Sequence, residues 1–462
     1  MRAERLLEAV RALAPLIEAE RARLDRDRML PPRLVDALVA TGLFRLWTPR
    51  RLGGSELDPV AGLRVIAATA ALDGSVGWNV MVAAAHAFLA GRLPAAAARE
   101  VFGHRRAVVA GQLEPGGIAE VVKGGYRVSG RWPFASGCRH ATWLLAHCVV
   151  PPRGRGRARA RPATRLVFVL AERVRIHDTW RVSGLRGTGS HDYSLEGVFV
   201  PAAYAIDAFA DEPTRPERLY AYPVIPLVTG AVGAVPIGIA RGAIEELTRL
   251  ARTRKRGGRL LAEDATVQGG LAHAEILARA AESLLFQAVD EMWQTVKRGK
   301  PATLEQRAHL RMGCVNAGVS AAAAVDTVLG ARRLARHLRG RGARAPLPRR
   351  ARGHPARGPR PADARDGRPG APRPRAGRPV LTVRTLLPIG LVAAAHRFVE
   401  HDRAGRPLRV HLRGTGRKPM SKGSYCSTSS EGTVTLSRDG GKEVLTFTRA
   451  DLRGSAGLER VK

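Results

Sequence analysis

The chain has 462 residues, with 76 Lys and Arg against 40 Asp and Glu, a net charge of +36. At 45% apolar and 25% charged residues it has the composition of a globular protein with a sizeable core, which excludes wholesale disorder and a fibrous chain. Its four cysteines, Cys138, Cys148, Cys314 and Cys426, lack C-x-x-C spacing; this excludes a disulfide scaffold and a zinc ribbon and fits a reducing cytoplasm.

The opening MRAERLLEAVRALAPLIEAE sets Leu6, Val10, Leu13 and Ile17 at helical spacing and predicts an amphipathic helix, not a signal peptide. A second helix follows Pro31-Pro32 and ends at Gly42. A third spans Leu63 to Ala71, a fourth runs from Ser75 to about Leu89, and a fifth runs from Leu93-Pro94 to Gly103. From about Ala107 the texture changes to short period-two runs: AVVAG, YRVSGRW, ATWLLAHCVV, TRLVFVLA and LEGVFVP. These predict strands of a small β domain, with the basic run at 153–161 as a charged hairpin tip. Helical periodicity returns near Val232–Arg254, Asp264–Lys297 and Leu304–Leu329, as in an antiparallel bundle. Near the end, TVTLSRDGGKEVLTFT predicts a hairpin turning at Asp439-Gly440-Gly441. The apolar run Leu386–Ala395 is too short to span a bilayer, so a cytoplasmic protein without membrane association is expected. No G-x-G-x-x-G follows a strand, no P-loop or H-E-x-x-H occurs, and the 13 histidines do not cluster with carboxylates, so no metal is expected.

Three segments carry chemistry: DGSVGWNVMVAAAHAF (73–88), GQLEPGGIAEVVKGGYRVSGRWPFASGCRHATW (111–143) and TWRVSGLRGTGSHDYSLEGVFVP (179–201). Together they resemble the acyl-CoA dehydrogenase superfamily over about residues 5–330, and most closely its flavin-dependent monooxygenase branch, the oxygenase components of two-component hydroxylases. The resemblance implies an α+β, acyl-CoA dehydrogenase-like fold. Its parts are an N-terminal helical domain (1–108), a middle β-barrel-like domain (109–220) and an incomplete C-terminal helical bundle (221–330). An Arg/Pro-rich segment (331–380) and an atypical tail (381–462) follow.

The resemblance further implies FMN or FAD as cofactor, lying between the β domain and the bundle. The turn from Gln112 to Gly117 and the strand end from Trp132 to Gly137 would line its ring. Trp132 and Phe134 are suitable flat walls, and Gly-rich turns let backbone amides approach the ring's oxygens. Ser136 would hydrogen-bond flavin N5 and help retain its oxygen adduct. Trp78 and His86 would border the substrate, with His86 orienting or deprotonating a phenol; a core histidine in an Ala-rich helix is the competing reading. In the G-L-R-G-T-G-S-H-D turn, His191 and Asp192 read as fold-maintaining and Ser190 as a candidate flavin contact. Arg254, in a basic run at the end of the first bundle helix, could reach the flavin phosphate, or simply be solvated. Reduced flavin would come from a separate reductase, since no nicotinamide fingerprint exists. Substrate, O2 and self-assembly, a homotetramer in many relatives, complete the implied partners.

Residues 331–380 hold 16 Arg, nine Pro, no aromatic residue and a net charge of +14, against +14 for all of 1–330. Such a stretch cannot supply a buried amphipathic helix. The branch places an R-D-x-H segment and a Q-H pair at this point. Back-translating Arg336–Arg357 and reading one nucleotide later permits ATSEAAALERLYRDVHAVTQHV, which carries both. A frameshifted translation from about Ala331 to about residue 378 is therefore expected, with an inactive relic as one outcome. Two more functions compete with the monooxygenase. One is a same-fold dehydrogenase oxidising an acyl thioester with FAD. The other is a nucleic-acid-associated protein using the Arg-rich arm, disfavoured by the lack of interleaved aromatics.

Overall fold

The computed structural model describes residues 2–152, 163–207, 212–337, 409–413, 433–437 and 444–447. The N-terminal helices are α1 (Arg2–Ala12), α2 (Ala14–Asp27), α3 (Pro32–Thr41), α4 (Pro59–Leu72), α5 (Gly74–Ala87) and α6 (Ala95–Phe102). The single opening helix expected from periodicity is two, because Pro15 falls at the start of α2 and restarts the helix there. Gly42 closes α3 in the left-handed conformation (φ 77°), donating its amide to Leu38 and Val39 carbonyls. Asp73 alone makes the corner between α4 and α5. Its carboxylate accepts from the Ser75 and Val76 amides at 2.8 and 3.2 Å, capping α5.

The β domain contains β1 (Val109–Gly111), β2 (Gly117–Val122), β3 (Gly125–Ala135), β4 (Trp143–Val150), β5 (Ala163–Leu170), β6 (Arg175–His177), β7 (His191–Pro201) and β8 (Ala205–Ile206). They form one eight-stranded sheet in the order β6-β7-β3-β2-β4-β5-β8, with β1 parallel beside β4. Its own core gathers Val128, Trp132, Leu144, Val167, Tyr193 and Leu195. The β3–β7 ladder slips between Trp132 and Ala135, a bulge that turns the end of β3. The basic run at 153–161 lies outside the described residues.

The bundle is α7 (Val224–Thr253), a short hairpin of β9 (Lys255–Arg256) and β10 (Arg259–Leu260), α8 (Ala265–Lys297) and α9 (Leu304–His337). Helix α7 starts eight residues before the expected Val232 and contains Pro236. Helix α9 runs past the expected end at Leu329. Arg241 of α7 bridges Glu275 and Glu282 of α8 at 2.8 and 2.7 Å. Packing of α7 is close: a Cβ on Gly238 would lie 2.1 Å from the Ala67 carbonyl of α4, and one on Gly77 of α5 would lie 2.4 Å from the Ala70 Cβ of α4. Only glycine permits these approaches. By length and mean hydropathy (1.7 and 1.4), α7 and the Leu304–Arg332 part of α9 could cross a bilayer, but 72% and 50% of their apolar windows are buried in the protein. That is how helices of a protein core read.

A separate unit holds β11 (Arg409–Arg413), β12 (Thr433–Ser437) and β13 (Val444–Phe447), all antiparallel. The expected hairpin strands pair as Val434 with Phe447, while its turn lies outside the described residues. So does the Arg/Pro-rich segment beyond His337.

Arg45 ties the N-terminal helices together without a carboxylate. It is buried, and its guanidinium donates to the carbonyls of Leu52, Phe102 and His104, the last two at 2.8 Å. Phe102 ends α6, where the helix dipole is negative. Arg45→Met leaves these buried acceptors unmatched and should lower the unfolding free energy by about 2–4 kcal/mol, read by chemical denaturation.

Candidate functional site

Helix α5 supplies one wall of the site. Trp78, Val82 and His86 fall at i, i+4 and i+8 on one face, about 12 Å from end to end. Trp78 and Val82 are half-buried, and His86 is 5% exposed. His86 Nδ1 lies 3.0 Å from the Val109 carbonyl at the start of β1. A carbonyl only accepts, so Nδ1 carries the proton and Nε2 presents a lone pair. Burial pushes the imidazole down to about 4, against the opposing effect of the Val109 bond, so it is neutral at physiological pH.

The end of β3 meets this face of α5 at Trp78. Past the bulge, Phe134 takes a left-handed φ of 61° and is 45% exposed, its ring edge-on to Trp180 at 6.1 Å. A bulky residue in this conformation is held there by its surroundings. Ser136, two residues on, is buried and accepts from Trp78 Nε1 at 2.9 Å. Its hydroxyl lies 2.7 Å from that of Ser190, which lies 2.7 Å from that of Thr188. Thr188 Oγ1 donates to the Leu185 carbonyl at 2.9 Å. Leu185 is also left-handed (φ 50°), and its carbonyl accepts as well from Trp180 Nε1 at 3.2 Å and the Thr188 amide at 3.1 Å. The Gly137 amide donates to the Thr188 carbonyl, fastening β3 to the 186–188 turn. Trp78, Ser136 and Ser190 are thus brought together, with His86 farther along the same helix face.

Other expected residues are placed differently. Trp132 does not face the site. It is fully buried in the β core, stacked on Tyr193 at 5.2 Å, and its Nε1 donates to the His147 carbonyl. The bulge separates it from Phe134, which a regular strand would put on the same face. Both ends of the Gln112 amide are used within the protein: Oε1 accepts from the Leu113 and Glu114 amides and Nε2 donates to the Pro133 carbonyl. Gln112 holds the β1–β2 turn against the end of β3. Arg254 is exposed at the C-cap of α7, and no hydrogen bond among the described residues joins it to the Ser136 group. His191 is buried and accepts from the Trp180 amide, and Asp192 pairs with Arg131 on the surface.

Thr188, Asn79 and His140 were missed. Asn79 donates to the Ser75 and Gly187 carbonyls, leaving its buried Oδ1 without a partner among the described residues. Gly137 (φ 79°) packs closely on Asn79 and His140, since a Cβ there would lie 2.9 Å from Asn79 Oδ1 and 3.1 Å from the His140 ring. His140 stacks on Phe44 and is pushed down to about 4 by burial. The hydroxyl of Thr188 sits two residues before Ser190 in the G-T-G-S turn, the one signal that could have found it. The buried thiols Cys138, Cys148 and Cys314 are raised by desolvation, to about 11 for Cys138 and about 12 for the other two. No group of three or more His, Cys, Asp or Glu placed to hold a metal occurs among the described residues.

An exposed aromatic plate, a half-buried indole and a buried hydroxyl oxygen suit a flat ring system with a polar edge nitrogen. With helical, β and bundle layers in that order, the chain has the build of an acyl-CoA dehydrogenase-type flavoprotein. Residues 231–345 match the family model "Acyl-CoA dehydrogenase, C-terminal domain". The chain is 32% identical over 322 residues to the indole-3-acetate monooxygenase of Pseudomonas putida, covering 69% of this chain and 80% of that one. It is 32% identical over 301 residues to the FADH2-dependent resorcinol hydroxylase oxygenase component of Rhizobium sp. strain MTP-10005, covering 62% of this chain and 72% of that one. Among solved structures it resembles 3-HSA hydroxylase from Rhodococcus sp. RHA1, with a TM-score of 0.66 and 27% identity over 73% of this chain and 88% of that one. It also resembles XiaF from Streptomyces sp., solved with FADH2 and glycerol, with a TM-score of 0.64 and 26% identity over 72% and 85% of the two chains. The chain belongs to the flavin-dependent monooxygenases of the acyl-CoA dehydrogenase fold, the family of these oxygenase components.

The buried neutral histidine has a thermodynamic signature. The unfolded chain takes up a proton at this site near the ordinary pKa of 6.5, and the folded chain only near 4. Stability therefore falls as pH drops through that window, by up to about 3 kcal/mol from this group. The stability difference between the wild type and His86→Gln, followed by denaturation from pH 7 to 4, should shrink accordingly.

Proposed function

We propose that this chain is the oxygenase component of a two-component system. In this reading it takes reduced FMN or FAD from a separate reductase and hydroxylates an aromatic substrate of phenol or indole type. The observation that carries this reading is the placement, on one face of α5, of a neutral buried imidazole and an indole bonded to a buried serine hydroxyl. Aromatic substrates in the names of the relatives, indole-3-acetate and resorcinol, support it.

Bound reduced flavin supplies the two electrons with which O2 is split, one oxygen atom entering the substrate and the other leaving as water. The protein's own residues do the rest. Phe134 and Trp78 offer flat faces to ring systems, and Ser136 Oγ would accept a hydrogen bond from N5–H of a bound reduced flavin. His86 Nε2 accepts the hydrogen bond of a phenol, which orients the substrate and raises electron density on the ring carbons that receive oxygen. Its Nδ1–H stays anchored to Val109, so the ring keeps its orientation. Val82, between them, keeps the wall apolar. Arg254 remains a candidate for the flavin phosphate, on its charge alone. Exposed Ile276 and Leu284 on α8 and Val315 and Val319 on α9 support self-assembly through the bundle.

The test supplies reduced flavin chemically, with O2 and a panel of phenols and indoles. Hydroxylated product is expected from at least one of them. His86→Ala should lower kcat/KM for a phenol about 10²–10⁴-fold while leaving the affinity for reduced flavin unchanged. Anaerobic bleaching of bound flavin by an acyl thioester, with no oxygenated product, would instead make the chain a dehydrogenase.

The frameshift reading of the C-terminal third also remains a proposal. Resequencing the gene across codons 325–400 tests it. A single-base correction restoring the R-D-x-H and Q-H segment supports it, and confirmation of the frame as written overturns it. In the latter case little hydroxylase activity is expected from the chain, and the corrected chain is no longer the right protein to assay.

A further inference from the structure

We propose that Ser190 and Thr188 are positioning residues that fix the direction of the Ser136 proton, so that Ser136 can only accept a hydrogen bond from the cofactor and the site selects reduced over oxidised flavin. The proposal rests on the reading that flavin N5 meets Ser136.

The direction follows from counting protons along the chain of hydroxyls. Each hydroxyl has one hydrogen to give. The Leu185 carbonyl can only accept, so Thr188 gives its proton there. Thr188 then has none left for Ser190, and the 2.7 Å contact between them requires Ser190 to donate. Ser190 has now spent its proton, so the 2.7 Å contact with Ser136 requires Ser136 to donate to Ser190. Trp78 Nε1 can only donate, and it donates to Ser136. The run is therefore one-way, from Trp78 through Ser136, Ser190 and Thr188 to Leu185. All three hydroxyls are buried, so water is poorly placed to supply a different acceptor.

The remaining group at Ser136 Oγ is a lone pair. Reduced flavin carries a hydrogen on N5 and matches it. Oxidised flavin carries a lone pair on N5, so two acceptors face each other without a proton between them. An unmatched buried acceptor is penalised, whereas a matched one is not. The arrangement thus lets a reduced flavin in and favours its release once oxidised. An oxygenase that receives its flavin reduced from elsewhere needs that order of events.

The test measures dissociation constants for oxidised and reduced FMN and FAD, the reduced forms anaerobically, with the flavin absorbance spectrum as readout. In the wild type the reduced form should bind more tightly. Ser190→Ala removes the acceptor for the Ser136 proton, which can then rotate toward N5 of oxidised flavin. The ratio of oxidised to reduced dissociation constants should fall about tenfold, equivalent to about 30 mV in the midpoint potential of the bound two-electron couple. Thr188→Val should shift the ratio the same way, because Ser190 is freed to donate to Ser136. Thr188→Ser keeps the hydroxyl and should keep the wild-type ratio. Ser136→Ala should weaken reduced flavin while affecting oxidised flavin less. If Ser136→Ala does this but Ser190→Ala and Thr188→Val leave the ratio unchanged, the directional lock is overturned and the placement of N5 at Ser136 stands. If Ser136→Ala changes neither affinity, the placement itself fails, and the lock with it.

Discussion

Backbone-to-backbone contact among α4, α5 and α7 is the constraint on which the rest depends. Gly77 of α5 and Gly238 and Gly242 of α7 bring these helices close enough that a single methyl group would collide with main-chain or Cβ atoms of α4. No side chain lies between them to deform, so the helices cannot slide without losing contact outright. Helix α5 therefore sits as a fixed bar, buried on most of its circumference and capped at its start by Asp73. The indole of Trp78 and the imidazole of His86 inherit that rigidity. Each then fastens a different strand: Trp78 holds the end of β3 through Ser136, and His86 holds β1 through the Val109 carbonyl.

Much of this was legible in the sequence, and the failures share a cause. Helix limits followed from proline and glycine, as at Pro32 and Gly42, because these residues act locally. The segments that carry His86 and Ser136 stand out in the sequence, and the structure joins the second of them to α5 through Trp78. The resemblance sets Trp132 and Phe134 together as walls for the ring, and the slip in the β3–β7 ladder, a contact between distant strands that no single strand's sequence announces, separates the two. Gln112 lies in a turn that the family resemblance sets against the flavin ring, while the hydrogen bonds of its own side chain all go to main chain. Thr188 went unnoticed because a threonine in a glycine-rich turn is ordinary until its hydroxyl is seen bonded to a serine that is itself bonded to another.

The buried and half-buried polar side chains fall into two kinds. Arg45 and Gln112 satisfy main-chain groups and fix loops. The hydroxyl run carries no charge, so it can be buried without the cost that an ion pair would bring. His86 is likewise uncharged at working pH, which keeps this face of α5 electrically quiet while leaving Nε2 as a hydrogen-bond acceptor. A site of this kind changes little in electrostatics when an uncharged aromatic enters, and responds mainly to a proton presented at the right place.

The buried thiols bear on durability. An enzyme that brings reduced flavin and O2 together produces hydrogen peroxide whenever the oxygen transfer misses its target, and Cys138 lies two residues from Ser136. Peroxide attacks thiolate, not thiol. With its pKa raised to about 11, Cys138 is ionised in about one molecule in ten thousand at pH 7. Cys148 and Cys314 are ionised more rarely still. The same desolvation that packs the sulfur atoms keeps all three slow to oxidise, so Cys138, two residues from Ser136, is a poor target for self-inflicted damage.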